Sequence, residues 1–166
     1  MNKVLIFGNS ASGKSTRALK LASQYKLAHL DLDTLAWQAS KPPTRKPLSE
    51  SARDISEFIQ THQAWVIEGC YTDLLTFAET EASEIIFIDL AIEDCIANAY
   101  TRPWEPHKYP SKAAQDENLG MLVEWISHYE QRQDTFSKNS HLEFYRQYQG
   151  KKTHITSNQQ VFTCGN

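Results

Sequence analysis

The 166-residue chain has few cysteines: Cys70, Cys95 and Cys164, odd in number, widely spaced and without a C-x-x-C pair. That pattern argues against a disulfide framework or a zinc site and points to reduced thiols in a cytoplasmic protein. No apolar run approaches the length of a membrane span, so no membrane partner is expected. The N-terminus enters an apolar strand pattern directly, and the expectation is a chain without a signal peptide. An excess of positive charge is also missing. Lys and Arg number 17 against 20 Asp and Glu, giving a net charge of −3 and a pI near 6.1. This balance offers nucleic acid no global attraction and disfavours it as a partner, though a local basic patch stays compatible with it. There is no low-complexity tract and no repeat of fixed period. The length suits one domain, 1–166, with a core that needs no staples.

What the chain does carry is a phosphate-binding signature. Gly8-Asn9-Ser10-Ala11-Ser12-Gly13-Lys14-Ser15 spells G-x-x-x-x-G-K-[ST]. The apolar run Val4-Leu5-Ile6-Phe7 precedes it as a buried strand. Ala18, Leu21, Ala22 and Tyr25 follow at i, i+3, i+4, i+7, one face of a helix. Strand, loop and helix are the context the motif's mechanism needs. The glycines let the backbone N–H groups approach phosphate oxygens, and the helix N-terminus adds unpaired donors and a partial positive charge. Lys14 is expected to reach the β- and γ-phosphates and the Ser15 hydroxyl to enter a Mg²⁺ shell. Thr16 closes the nucleotide-binding stretch. A nucleoside triphosphate is the expected ligand.

Further along, strand-like runs alternate with helical patterns, as in β-α units around a parallel sheet. Strands are expected near 3–7, 28–32, 64–68, 84–89 and 152–156, and helices over 14–25, 49–62, 71–79, 92–101, 118–136 and 140–148. Two basic, proline-marked segments read as loops. Ala39 to Pro47 holds Lys41, Arg45 and Lys46; Thr101 to Asp116 holds Arg102, His107, Lys108 and Lys112. Together they suit covers over a site from which water is excluded and in which charge is neutralised.

Acids stand at the expected strand ends, where open α/β sheets bind ligands. Asp31 and Asp33 alternate along an extended chain and can face one cleft, one ordering Mg²⁺ water and the other accepting a hydroxyl proton. Glu68 ends Trp65-Val66-Ile67, and Asp89 ends Ile85-Ile86-Phe87-Ile88; periodicity leaves the two in competition for the metal-side acid of the central sheet. Arg102 offers a flat fork for phosphate oxygens and transition-state charge. Arg132 falls on the helix expected over 118–136, whose apolar stripe is Leu119, Leu122, Ile126 and Tyr129. Trp37, Trp104 and Tyr109 could wall an organic substrate.

In order, Gly8 to Ser15, His29-Leu30-Asp31, Trp65 to Gly69, and Ile86 to Leu90 with Arg102 beyond make the chain resemble the P-loop kinases of small molecules. That group contains adenylate kinase and shikimate kinase, and the chain most resembles its small bacterial members called DNA topology modulation protein-like. The resemblance implies a P-loop NTPase three-layer α/β sandwich with a five-stranded parallel sheet of order 2-3-1-4-5. It also implies a substrate flap over about 33–62 and a lid over about 101–118. It implies ATP and Mg²⁺ as cofactors and phosphoryl transfer to a small metabolite, nucleoside or nucleotide, by a monomer or weak dimer. Asp31 and Asp33 match the D-x-D of shikimate kinase-like enzymes, serving the metal shell and the acceptor hydroxyl. Glu68-Gly69 stands at the Asp-Gly of adenylate kinases, making Glu68 a metal-side acid and Gly69 a substrate contact. Arg132 is similar to the post-lid arginine of shikimate kinase and is expected on the substrate. Ser157-Asn158 falls where such kinases contact the base. Cys70-Tyr71-Thr72 carries no AMP-binding arginine, Asn98 replaces the first helix arginine, and the shikimate-binding glycine run is absent. The first and last of these departures argue against AMP and shikimate as acceptors, and Asn98 argues against an arginine stacked on the nucleotide. The rival expectation is an ATP-binding regulatory protein acting on DNA topology or a protein partner; a degenerate, non-catalytic kinase is the third.

Overall fold

The computed structural model describes residues 2–40 and 42–159. Its frame is a parallel sheet of five strands: β1 (Lys3–Gly8), β2 (Ala28–Asp31), β5 (Trp65–Gly69), β6 (Glu84–Ile88) and β7 (Lys151–Ile155). Two short strands, β3 (Trp37–Gln38) and β4 (Thr44–Arg45), form a separate antiparallel hairpin. The spatial order of the sheet is β2-β5-β1-β6-β7. Numbered over all seven strands this differs from the written 2-3-1-4-5 only because β3 and β4 take two labels between residues 33 and 62, where no strand is expected; the five segments expected as strands lie in the expected spatial order. Two-residue strands beside Pro42, Pro43 and Pro47 carry no detectable period, so this stretch reads as plain loop.

β1 is central, with Lys3 to Phe7 in register with Trp65 to Gly69 and Val4 to Gly8 in register with Glu84 to Ile88. Both faces of β1, β5 and β6 are covered, which is why their sequences are continuous apolar runs rather than alternating ones. Val4, Ile6, Val66 and Ile86 pack with α1 (Lys14–Tyr25), α5 (Ile92–Thr101) and α7 (Leu119–Ser127) through Ala18, Cys95 and Ile126. Leu5, Phe7, Ile67 and Phe87 pack on the other side with α3 (Leu48–Thr61), α4 (Thr72–Glu79) and α8 (Lys138–Gln147) through Ile55, Leu74 and Phe144. Phe7 and Phe87 stack with ring centroids 5.2 Å apart. Each such fully buried side chain contributes roughly 1.5–3 kcal/mol. Two short helices complete the fold: α2 (Asp33–Ala36) and α6 (Lys112–Glu117).

Two sequence expectations need correction. The helix expected over 118–136 ends at Ser127. Tyr129 has helical spacing from Ile126, but the chain turns at His128. The Tyr129 ring is buried, its hydroxyl 2.7 Å from His141 Nδ1, and its carbonyl accepts from the Lys138 N–H. Arg132 therefore sits in a loop. The basic stretch from Thr101 to Asp116 is also more ordered than a plain loop. Ser111 caps α6 by accepting from the Ala114 N–H, and Gln115 bonds the Glu105 N–H and the Pro103 carbonyl. Among the described residues Cys70 and Cys95 are free thiols, whereas Cys164 and Lys41 lie outside them. No helix among the described residues is long and apolar enough to cross a membrane.

Candidate active site

The C-terminal ends of β1 and β5, and Asp33 just past β2, open onto one cavity of about 820 Å³, the place where parallel α/β sheets bind ligands. The loop from β1 to α1 forms its floor. Gly8 has φ +150°, and a Cβ there would stand 2.2 Å from the Ile88 carbonyl oxygen, so only glycine lets β1 turn this closely past β6. Gly13, at φ +90°, precedes Lys14 at the start of α1. Between them Asn9 organises the loop: its side-chain amide donates to the Ile126 carbonyl and its Oδ1 accepts from the Ser10 N–H. Ala11 adopts φ +58° and Ser12 is buried. Lys14 is also buried and directs Nζ to the Asn9 carbonyl at 2.7 Å, across the loop's mouth. Lys14, Ser15 and Thr16 make the first turn of α1, whose N–H groups have no intrahelical acceptors. The expected stretch from Ser10 to Thr16 lines the cavity.

Opposite this floor stand the acids. Asp31 is the last residue of β2, in register with Glu68 on β5, and Asp33 opens α2. The Asp33 N–H donates to Asp31 Oδ1 at 2.9 Å, so one tight turn carries both carboxylates. Lys108 reaches them from the other side, its Nζ 2.8 Å from Asp33 Oδ2 and 3.1 Å from Asp31 Oδ2. A turn in which the Lys108 and Tyr109 N–H groups both donate to the Glu105 carbonyl presents this lysine. Burial, and then the neighbouring charges of Glu68 and Asp33, push the Asp31 carboxyl up from the usual carboxylate range. Burial acts in the same direction on Asp33 but is outweighed by the charge and hydrogen bond of Lys108 and by the Tyr71 hydroxyl, so its net shift is downward. Lys108 loses some of its charged form to burial, yet the two aspartates hold it well above the usual lysine range.

Glu68 settles beside this pair. It is buried, its Oε1 lies 3.5 Å from His29 Nε2, and that oxygen has no hydrogen-bond partner among the described residues. Glu68 lines the cavity, as do Ser15, Gly69 and Arg102. An orphaned carboxylate oxygen beside a second buried acid, across from a serine hydroxyl, suits a hard divalent cation. Asp89 is turned elsewhere: its oxygens engage His154 at 3.1 Å and Lys138 at 3.4 Å. Arg102 pairs with Glu105 at 3.0 Å, with its guanidinium over the Tyr109 ring. Arg132 does not join this cavity. It lies in a separate pocket, its guanidinium stacked 3.1 Å from the Trp125 ring centroid.

Several residues of the site carry no local sequence signal. Lys108 registered only as part of a basic stretch and Tyr71 only as a departure from a motif. Trp37 Nε1 donates to the Tyr71 hydroxyl at 2.8 Å, and that hydroxyl donates to Asp33 Oδ1 at 2.5 Å. Arg45 of β4 lies over the rings of Tyr71, Phe136 and Trp37 and pairs with Asp73 of α4 at 3.1 Å. Those contacts pin the 33–47 segment to the body of the fold. Asn98 of α5 donates to the Ala11 carbonyl and exchanges amide hydrogen bonds with Asn158, joining the phosphate-binding loop to the segment after β7. Cys70 also lines the cavity, and burial pushes its thiol up to about 12.

No protein-family model matches the chain, and no curated protein matches it. Among solved structures it is similar to a sugar kinase from Janibacter sp. HTCC2649, with a TM-score of 0.55 and 11% identity over 96% of this chain and 87% of that one. It is also similar to a shikimate kinase from Bacteroides thetaiotaomicron, with a TM-score of 0.50 and 14% identity over 93% and 85% of the two chains. Likeness at this identity is one of fold alone, and neither kinase's role carries over with it.

Proposed function

We propose that the chain is an ATP- and Mg²⁺-dependent phosphotransferase acting on a small metabolite, nucleoside or nucleotide. The observation that carries this reading is the opening of Lys14 and Asp33 onto one cavity, a phosphate-binding loop on one side and a carboxylate on the other. Gly8, Asn9, Ser10, Ala11, Ser12, Gly13, Lys14, Ser15 and Thr16 cradle the triphosphate. Lys14 and Arg102 offset charge that spreads over the transferring phosphoryl group. Ser15, with Asp31 or Glu68, holds the Mg²⁺ shell; the ion supplies further charge neutralisation on the phosphates when bound. Asp33 orients the acceptor hydroxyl and takes its proton. The acceptor oxygen forms its bond to the γ-phosphorus as the bond to the β-bridging oxygen breaks and ADP leaves. Gly69 borders the acceptor side. Arg132 faces the neighbouring pocket and takes no step in this scheme. The 33–62 segment acts as substrate flap and the 101–118 segment as lid. A cytoplasmic monomer or weak dimer, and a place among the DNA topology modulation protein-like kinases, belong to the same proposal.

The test is a transfer screen with ATP and Mg²⁺ against nucleosides, nucleoside monophosphates, sugars and small hydroxy acids, following ADP above a blank without acceptor. We expect acceptor-dependent ADP release that Lys14→Ala abolishes while its melting curve stays native. Turnover retained in Lys14→Ala would sink the assignment.

A further inference from the structure

Both oxygens of Asp33 are engaged, and by partners of different character. Oδ1 accepts from the Tyr71 hydroxyl, which in turn accepts from the Trp37 indole N–H. Oδ2 faces Lys108 Nζ, carried by the 101–118 segment. The Tyr71 side is part of the rigid body. Tyr71 is buried, follows β5 and packs edge-on to Phe136 at 5.2 Å. Its own backbone is fixed from behind: buried His141 Nε2 lies 2.9 Å from the carbonyl of Cys70, the residue before it. The Lys108 side is a half-buried charge on a segment reaching over the cavity.

From this asymmetry we infer that Tyr71 is the positioning residue of Asp33: it holds Oδ1 as the fixed anchor, so that Oδ2, now on Lys108, is the oxygen that meets the acceptor hydroxyl. The inference rests on the role given to Asp33 above and adds to it which oxygen works and what aims it. A carboxylate free to rotate about its Cβ–Cγ bond presents either oxygen, and reach to the acceptor proton is set by orientation before basicity. The Tyr71 hydroxyl removes that freedom. Trp37 fixes the hydroxyl by donating to it, so the proton of the Tyr71 O–H is directed at Asp33 and not at another acceptor. Lys108 occupies the position that an acceptor hydroxyl must take at Oδ2, and it must give that position up when the acceptor enters.

The experiment has two readouts on the full chain. The first needs no ligand: the indole ¹H–¹⁵N resonance of Trp37, assigned by its loss in Trp37→Phe. In Tyr71→Phe that resonance should move upfield as its acceptor disappears. In Asp33→Asn it should also move, because the partner of the Tyr71 hydroxyl changes. The second readout is transfer from Mg²⁺·ATP to the acceptor with the highest ADP release in the screen above. Tyr71→Phe keeps the ring and removes only the hydroxyl, and should lower kcat about tenfold with KM for ATP unchanged. In an Asp33→Asn background the same change should have no further effect, since the group it aims is already disabled. If Asp33→Asn loses most but not all of its kcat and Tyr71→Phe matches the wild type, or its loss adds in full to that of Asp33→Asn, the positioning role is overturned and the role of Asp33 stands. Wild-type kcat in Asp33→Asn overturns the role of Asp33 and this inference together. A Tyr71→Phe loss seen only as a lower melting temperature, with kcat intact, marks the hydroxyl as structural and overturns the inference.

Discussion

The ammonium of Lys108 lies 2.8 Å from Asp33 Oδ2, joining the turn after Glu105 to the first residue of α2 across 75 positions of chain. The same ammonium reaches Asp31, which is buried and next to Glu68. Three carboxylates therefore stand together, Asp33 and Glu68 lining the cavity with Asp31 beside them, and Lys108 is the cation closest to two of them. With Lys108 removed, the three carboxylates repel one another with only weaker compensation, from His107 at 3.6 Å from Asp31 Oδ2, His29 at 3.5 Å from Glu68 Oε1 and the charge of Lys14 near Asp33.

Lys108→Met should accordingly destabilise the protein at pH 7, by about 1 kcal/mol once solvent screening at half-exposed Asp33 is allowed for. The sign of the pH dependence follows from Asp33. Lys108 and Tyr71 lower its folded-state pKa, so its contribution is complete above the unfolded carboxylate pKa and is lost as pH falls through the folded value. The difference between wild type and Lys108→Met should be full at pH 7 and smaller at about pH 3, below the ordinary aspartate pKa of about 3.9. Urea midpoints at the two pH values measure it. Equal stability at pH 7, or a gap that widens on acidification, would contradict the ion-pair account.

The two glycines of the phosphate-binding loop should respond differently to alanine. At Gly8 the new Cβ would stand 2.2 Å from the Ile88 carbonyl oxygen, and backbone is what must move. At Gly13 nothing lies within 4 Å of the new Cβ, leaving only the strain of φ +90°. Gly13→Ala should cost about 1 kcal/mol, the usual penalty for a left-handed alanine. Gly8→Ala should cost several times as much by disturbing the β1–β6 register. Chemical denaturation of the two variants decides it; comparable losses would mean that the β1–β6 approach tolerates a methyl group.

How far these features are legible in sequence depends on their range along the chain. The loop from Gly8 to Ser15 is a local pattern flanked by local periods, so position and chemistry are readable together. The pairing of Asp31 with Asp33 is local too, and Glu68 follows an apolar run that marks its strand. Between Glu68 and Asp89 the sequence offers no choice, because the difference lies in distant neighbours: His154 and Lys138 engage Asp89, while Glu68 is left facing the cavity. Lys108 was invisible as a site residue for the same reason, since its partners lie more than 70 residues away. The overlong helix shows the converse error. Tyr129 keeps the apolar spacing of α7, yet its burial against His141 is satisfied by a turn that periodicity does not encode. Arg132, placed on that helix by the same period, instead stacks on Trp125 in another pocket.

That buried histidine should set the protein's acid limit. His141 is inaccessible to solvent, with Nδ1 facing the Tyr129 hydroxyl and Nε2 facing the Cys70 carbonyl. A carbonyl only accepts, so Nε2 carries the proton and Nδ1 accepts from the tyrosine, which makes the ring neutral. Burial lowers its pKa to about 4. The unfolded chain binds this proton near the ordinary histidine pKa of about 6.5, and the folded chain only near 4. Between those values the unfolded state holds more protons, so stability falls as pH falls, by an amount on the order of 3 kcal/mol across the window. Above pH 6.5 the site should have no pH dependence. His141→Gln, with an amide that can donate to Cys70 and accept from Tyr129, should start less stable and lose less between pH 6.5 and 4. Melting temperatures of the two proteins across that range supply the comparison. Parallel curves would show that another group governs acid unfolding and that His141 is protonated in the folded protein well above pH 4.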